Sequence, residues 1–331
     1  MKRPALSVIV PNYNHGKYLP ACLESILQQS REPDEIIVVD DASTDNSVEI
    51  IEAYAQKDSR IRLIRNERNK GVLSTLNRGL GLEEPTLTEA DYVHFPAADD
   101  VLLPGLLEKS MKLLEQHPQA AFCCAIGDWH EEATGLNWHV GVGMGDQPRY
   151  LAPADLVELE KQGRLFVATN TVTVRREAIR EAGGYIAELK CHCDWFALHV
   201  AGFRHGICFV PEPLARFNIL PNSYYKRVRA NVGEYRQVLE TMLRLLGQPT
   251  YADVAARIRE SGALFQFGAP MRELLQTTPE YHAYLNLVFL RKNRRHILKL
   301  RLKSVIDRFA FLAPLGNLYF RLSGYRAVKK K

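Results

Sequence analysis

Ile36-Ile37-Val38-Val39-Asp40-Asp41 is an apolar run closed by two carboxylates, and Tyr92-Val93-His94-Phe95-Pro96-Ala97-Ala98-Asp99-Asp100 repeats the arrangement further along the chain. Each run reads as a buried strand with acids at its carboxyl end. A strand edge dense in carboxylate repels itself unless something positive sits there. A divalent cation meets that need with hard oxygen ligands and bridges to substrate phosphate. Ligands of open α/β sheets also collect at this edge. The two pairs therefore suggest a nucleotide and metal site. A second reading stays open, in which each pair is an acidic N-cap opening the next helix.

Working outward, residues 5–10 form an apolar strand ended by Pro11-Asn12-Tyr13-Asn14, a turn signal. Helical spacing follows over 18–29 through Leu19, Cys22, Leu23, Ile26 and Leu27. Further strands are expected at 35–39, 61–64, 92–95 and 120–126. Helices are expected from Thr44 or Asp45 through Tyr54, over 71–80 and over 106–116. This alternation implies βαβ units and a largely parallel sheet. Residues 129–150, with Gly135, Gly141, Gly143 and Gly145, read as a long irregular loop of the kind used as a lid or acceptor loop. From Val228 the pattern turns helical, which places a boundary near residue 226.

The 331 residues suit one large or two ordinary domains. No window reaches the roughly 18–20 apolar residues of a spanning helix. The apolar stretch behind Met1-Lys2-Arg3 stops at Pro11, so no cleaved signal is expected. Cysteines at 22, 123, 124, 191, 193 and 208 sit in apolar surroundings, which suits free thiols in a reducing compartment. Cys191-His192-Cys193 resembles half a zinc site, but no second pair stands at a metal spacing, and packed cysteines are the plainer reading. The net charge of +5 is uneven. Residues 291–331 hold 13 Lys or Arg and one acid, Asp307, for a net +12, while the rest carries 30 basic and 37 acidic side chains, a net −7. Such a tail suits an anionic partner.

Ser7-Val8-Ile9-Val10-Pro11-Asn12-Tyr13-Asn14, Ile37-Val38-Val39-Asp40-Asp41-Ala42-Ser43-Thr44-Asp45 and Ala98-Asp99-Asp100 resemble the family 2 glycosyltransferases. Asn69-Lys70-Gly71 and Asn77-Arg78-Gly79 fall in place between the acidic pairs, and the resemblance covers about residues 4–225. It implies the GT-A nucleotide-diphospho-sugar transferase fold, an α/β architecture with a mostly parallel central sheet flanked by helices. The expected organisation is a GT-A domain over 1–225 and a helical, basic carboxyl-terminal segment over 226–331. The implied activity is inverting transfer of a hexose or N-acetylhexosamine from a nucleotide-diphosphate sugar, UDP-linked by expectation. The acceptor would be a saccharide or lipid-linked saccharide, and the setting cell-envelope polysaccharide synthesis.

The resemblance also implies roles. Pro11 and Tyr13 line the nucleotide pocket, and Tyr13 can offer a ring face and a hydroxyl to a base; core packing is the competing reading of Tyr13. Asp41 matches the carboxylate that accepts the uracil N–H in a charge-assisted bond, while Asp40 supports the turn. Asn69, Gly71, Asn77 and Arg78 join the nucleotide-sugar-binding positions. Asp99 and Asp100 match the end of the metal motif, D-x-D or D-D-D, whose leading acid is Ala97 or Ala98 here. Asp100 is assigned to Mg²⁺ or Mn²⁺, and Asp99 to the ribose or a metal-bound water. Metal-free stabilisation of the leaving group would need a basic residue near this loop, and Arg78 is the candidate. Inverting transfer needs one base opposite the leaving group. Cys193-Asp194-Trp195-Phe196-Ala197-Leu198 is similar to the family's acidic helix start, E-D-W, with Cys193 in place of Glu, and Asp194 aligns with the base. An ordinary N-cap is the alternative for Asp194. Gly183-Gly184-Tyr185 resembles the loop that places acceptor and donor sugar. Val210-Pro211-Glu212-Pro213-Leu214-Ala215-Arg216-Phe217 resembles a strand that carries an arginine, and Asn222-Ser223 could reach phosphate. Gly184, Tyr185, Trp195, Arg216 and Asn222 are thus acceptor or phosphate candidates. The Q-x-x-R-W signature of processive synthases is absent, so one sugar per encounter is expected.

In the tail, Ile297, Leu298, Leu300 and Leu302 interleave with Lys299, Arg301 and Lys303, and residues 309–320 form an uncharged run too short to span a bilayer. This composition fits a helix on an anionic membrane surface, with a solvated bundle as the alternative. No recognisable nucleic-acid module accompanies it, so no nucleic-acid partner is expected. The expected location is cytoplasmic, peripheral on the inner face of the membrane. A nucleotidyltransferase would want a glycine-rich basic loop where Asn12-Tyr13-Asn14-His15-Gly16-Lys17 stands, and a dehydrogenase would want G-x-G-x-x-G. A non-catalytic nucleotide-sugar or carbohydrate-binding module is the remaining rival. Keeping Asp41, Asp99, Asp100 and Asp194 together argues against it.

Overall fold

Strand β1 (Leu6–Asn12) has Leu6, Val8, Ile9 and Val10 all at 0% exposure, so both faces of the sheet are covered here. The computed structural model describes residues 3–131, 135–219 and 228–308 together with Arg326–Ala327. Strands β2 (Glu35–Asp40), β3 (Ile61–Arg65) and β4 (Tyr92–His94) lie parallel in the order β4-β1-β2-β3. The intervening helices are α1 (Leu19–Leu27), α2 (Ser47–Ala55) and α3 (Val72–Leu80), and α4 (Leu106–Gln116) follows. Alternation along the strands sorts their side chains into two cores. Val8, Val10, Ile36 and Val38 meet residues of α1, α2 and α4 on one side. Ile9, Ile37, Val39 and Val93 meet Leu80 of α3 and later helices on the other.

Past β4 the sheet changes character. Its later strands are β5 (Val101–Leu102), β6 (Phe122–Glu131), β7 (Leu136–Val140), β8 (Arg149–Leu151), β9 (Thr173–Arg175) and β10 (Ile207–Ile219). β9 lies antiparallel between β4 and β6, while β10 is parallel to β6 and antiparallel to β5 and β8. The parallel expectation thus holds for the first half and gives way to mixed pairing in the second. The long loop expected over 129–150 is largely a hairpin, because β6 runs on to Glu131 and β7 pairs back with Trp138 opposite Trp129. Trp129 meets Trp138 at 6.0 Å, Phe166 at 6.0 Å and Phe217 at 5.6 Å between ring centroids. This cross-strand aromatic packing stabilises the hairpin. Gly141 ends β7 at φ +80, where an added Cβ would lie 3.1 Å from the Phe166 carbonyl oxygen.

Helices α5 (Pro153–Lys161), α6 (Arg176–Glu181) and α7 (Cys193–His205) cover the core on the α3 side. So do α8 (Val232–Leu246), α9 (Ala252–Ser261), α10 (Gly268–Thr277) and α11 (Leu287–Arg308), through Leu239, Met242, Val254, Ile258, Met271 and Phe289. Each fully buried side chain of this size contributes about 1.5–3 kcal/mol, so these helices are packed onto the sheet and do not hang from it. The basic run 291–295 is correspondingly not all outward. Lys292 is 3% exposed, bonds Glu160 Oε1 of α5 at 2.6 Å and the Ser261 carbonyl at 3.1 Å, and lies 4.2 Å from the Phe265 ring centre. The outer face of α11 presents Leu287, Leu290, Arg291, Arg294, Arg295 and Leu298. Strand β11 (Arg326–Ala327) pairs antiparallel with β7, Arg326 beside His139. All six cysteines are free. Among the described residues no helix is long and apolar enough to cross a membrane.

Candidate active site

The parallel register of β1 and β2 sets Asn12 beside Asp40 at the carboxyl edge of the sheet. Asn12 Nδ2 donates to Asp40 Oδ1 at 2.8 Å, and Asp40 Oδ2 accepts the Ser43 N–H at 3.0 Å. Asn14 Oδ1 accepts the Thr44 N–H at 2.7 Å. The two turns are thereby stitched together, with Asn14 and Ala42 in the left-handed region at φ +56 and +63. Pro11 leads the chain into this edge, and Tyr13, 46% exposed, stands out from it.

Asp41 is 5% exposed and heavily committed. Its Oδ1 accepts from Asn66 Nδ2 and the Lys70 N–H, and its Oδ2 from the Gly71 N–H, each at 2.8 Å. Asn69 Oδ1 shares the Gly71 N–H at 2.9 Å. A carboxylate offers about four lone-pair positions, so one on Oδ2 is left. Arg78, 3% exposed, donates from Nε to the Pro85 carbonyl at 3.1 Å and from Nη1 to Asn66 Oδ1 at 3.3 Å. It braces the loop that Asp41 holds. Asn77 is turned to Tyr185, donating to its carbonyl and accepting its N–H.

Asp99 and Asp100 lie between β4 and β5. Asp100 is 2% exposed and its Oδ1 is buried with no hydrogen-bond partner. Burial first, and the Asp99 charge second, push its carboxyl well above the usual carboxylate range. A cation would relieve both penalties, so the residues fit a metal. Among the described residues no group of three or more ligating side chains gathers. An ion here would rest on one or two carboxylates, completed by substrate phosphate and water, which is the usual habit of Mg²⁺.

Asp194 occupies the first turn of α7, just after Lys190 at φ +47. Its Oδ1 accepts the Trp195 N–H at 2.7 Å, yet burial still raises its pKa above the ordinary carboxylate value. Burial likewise pushes the Cys191 thiol up to about 11, with Asp194 next among the causes. The Tyr185 hydroxyl is also raised, by burial and then by Cys193 and Asp194. The Tyr185 ring meets Phe95 edge-on at 6.1 Å, so the Gly183-Gly184-Tyr185 loop bridges Asp194 and the approach to Asp99. Trp195 turns inward, stacked on His199 at 4.0 Å and edge-on to Phe267 at 4.8 Å, with its Nε1 buried and unpartnered.

Arg216 on β10 donates from Nε and Nη2 to Asp128 Oδ2 at 3.0 and 2.8 Å. Asn222 lies outside the described residues. Sequence reading missed Asp128, Asn66 and Asn12. Asp128 carried a usable signal, a lone acid at the end of Phe122-Cys123-Cys124-Ala125-Ile126-Gly127.

A family model described as Glycosyl transferase family 2 matches residues 7–183. Among curated proteins, the chain is 39% identical over 103 residues to Glycosyltransferase GlyG of Streptococcus pneumoniae serotype 4, covering 31% of this chain and 33% of that protein. It is 26% identical over 237 residues to Putative glycosyltransferase EpsH of Bacillus subtilis, covering 71% and 66%. The matched stretches thus span about one third to two thirds of these relatives' length. In structure the chain is similar to S. aureus TarS 1-349 in complex with UDP-GlcNAc, with a TM-score of 0.62, 16% identity, and 96% and 87% of the two chains covered. It is also similar to the mannosyltransferase PcManGT from Pyrobaculum calidifontis in complex with GDP-Man and Mn²⁺, with a TM-score of 0.52, 18% identity, and 88% of each chain covered. At these identities the likeness is one of fold, the GT-A arrangement with a helical carboxyl-terminal region.

Proposed function

The chain belongs to glycosyl transferase family 2, and on that premise we propose that it is a cation-dependent, inverting hexosyl- or N-acetylhexosaminyl-transferase. Its donor is a nucleoside-diphosphate sugar, with UDP the expected nucleotide, and its acceptor a saccharide or lipid-linked saccharide. The observation that carries this reading is a pair of carboxylates with weakened acidity, Asp100 buried and Asp194 partly exposed. Asp100 has an open oxygen at the carboxyl edge of the sheet, and Asp194 stands across the Tyr185 loop. The GDP-Man and Mn²⁺ of one structural neighbour and the UDP-GlcNAc of another support the donor class and the cation.

Asp100, with Asp99, would hold the cation, which when bound neutralises the departing diphosphate. Asp41 fixes the loop 66–71 and keeps one acceptor position for the base, while the Tyr13 ring is free to lie against it. As the acceptor oxygen bonds to the sugar C1, the C1–O bond to phosphate breaks and its electron pair leaves with the diphosphate. The acceptor's proton passes to Asp194. Burial weakens that acid, which makes its carboxylate a better base near neutral pH.

The outer face of α11, with three leucines, three arginines and no acid, supports attachment to an anionic membrane surface where a lipid-linked acceptor would lie. That setting suits envelope polysaccharide assembly. Liposome co-sedimentation should fall when Arg291, Arg294 and Arg295 are all changed to Glu, and unchanged sedimentation rejects the attachment.

The test of the activity is turnover of a panel of nucleotide sugars with and without Mn²⁺. Asp100→Asn and Asp194→Asn should each lower it by about 100-fold or more. Near-wild-type turnover in both variants with the right donor ends the proposal.

A further inference from the structure

Arg216 of β10, Asp128 of β6 and His139 of β7 are register partners across three adjacent strands. Residues matched in this way share one face of a sheet. Arg216 reaches Asp128 Oδ2 with two donors, and His139 Nε2 lies 3.8 Å from Asp128 Oδ1. The Asp128 side chain is 8% exposed and that of Arg216 is 43% exposed. The carboxylate is therefore fixed in protein, and the outer edge of the cation meets solvent.

Two contacts place that edge. On its other side Arg216 pairs with Val101, the residue after Asp100. Two positions along the same face, Asn218 Nδ2 donates to the Asp99 carbonyl oxygen at 2.6 Å. The face of β10 that carries Arg216 thus looks onto the acidic turn. Arg216 does not neutralise that turn, since Asp100 Oδ1 has no partner. Asp128 holds the guanidinium instead.

We infer that Asp128 is a positioning residue, which orients Arg216 so that its free edge receives the diphosphate of the donor beside the candidate cation site. The inference rests on the glycosyl-transfer reading above. Arginine has five N–H donors in a rigid fork suited to phosphate oxygens. Two point at Asp128 and three remain. Fixing the side chain beforehand removes part of the ordering cost of binding. Arg216 thereby supplies a positive charge at the leaving group that Arg78, buried against Pro85 and Asn66, does not.

The competing role is a cross-strand ion pair that only stiffens the hairpin. The two roles separate when nucleoside diphosphates are compared with monophosphates. Binding of UDP, UMP, GDP and GMP to the full chain is measured by calorimetry, with and without Mn²⁺, alongside thermal melting. The wild type should prefer the diphosphate of its nucleotide. Arg216→Gln and Asp128→Asn should each weaken diphosphate binding by about tenfold, the loss expected for a charge-assisted contact, and leave monophosphate binding unchanged. Asp128→Glu should restore part of the preference. Arg216 is half-exposed, so its variant tests the idea even if Asp128→Asn folds poorly. If the wild type discriminates and both variants discriminate equally well, or lose both nucleotides alike, the inference is overturned while the transferase reading stands. A wild type that binds none of the four nucleotides overturns both.

Discussion

Asn77 brackets the backbone of Tyr185, donating from Nδ2 to the Tyr185 carbonyl at 3.0 Å and accepting the Tyr185 N–H on Oδ1 at 2.9 Å. One side chain thereby ties α3 to the loop that leads into the helix of Asp194, across 108 positions of sequence. Gly184 is caught in the same clamp. At φ +70, an added Cβ would lie 2.9 Å from Asn77 Oδ1 and 2.3 Å from Leu82 Cδ1.

Gly184→Ala should therefore be costly on two counts, the left-handed backbone and the displaced clamp. A loss of about 1–3 kcal/mol is expected from urea denaturation, with turnover reduced as Asp194 loses its register. A variant as stable and active as the parent would show that the loop tolerates a side chain.

Asp41 combines structural and recognition duties. Asp41→Asn places an amide against N–H donors, so a fall of about 2 kcal/mol in stability is expected. Its last acceptor position should also distinguish uracil, which has an imide N–H, from cytosine, which has none. The UDP-to-CDP affinity ratio should exceed one in the parent and collapse in the variant. An unchanged ratio would leave Asp41 as a loop anchor alone.

Asp194 has a pH signature. Its folded-state pKa is raised, so the protonated form is favoured in the native protein. The associated stability is fully present below the unfolded carboxyl value, near pH 4, and is lost as pH rises through the higher folded value. Asp194→Asn should melt higher than the parent at neutral pH, and the gap should close under acid. Turnover of the parent should rise with pH through the same raised value, because only the carboxylate accepts a proton. A more stable, inactive variant would identify a functional acid, whereas a less stable one would mark a simple N-cap.

Glu160 and Lys292 form an ion pair with both side chains at 3% exposure or less. Burial pushes the Glu160 carboxyl up and the Lys292 ammonium down, each opposed by the partner's charge. Lys292→Met alone strands a buried carboxylate and should cost about 3–5 kcal/mol. Lys292→Met with Glu160→Leu should recover most of that in a double-mutant cycle. A single variant that melts like the parent would mean water reaches the pair.

The motif positions and first four strands were legible because their signals are local. Leu6 to Val10 and Ile36 to Val39 are apolar runs long enough to be buried strands, and turn-forming Asn and Asp residues close them. The hairpin at Trp129 and Trp138 was missed although Leu136-Asn137-Trp138-His139-Val140 alternates apolar and polar as a strand does, because the glycine spacing on either side dominated the reading. Its pairing is local, with Glu131 opposite Leu136 and Trp129 opposite Trp138. The partners of Asn77 and Asp128 were out of reach for a different reason: Tyr185 and Arg216 lie far along the chain, and no local pattern encodes those contacts. Lys292 read as one more surface charge because Glu160 stands 132 positions earlier.

The seating of α11 has one more consequence. Phe289 and Lys292 lock its inner side, so the helix cannot swivel independently of the sheet. Any planar surface that its leucine-and-arginine side rests on will fix the compass bearing of the whole body. The mouth at Asp41, Asp100 and Asp194 would then open at one set angle to that plane, making the direction from which an acceptor arrives a property of the fold.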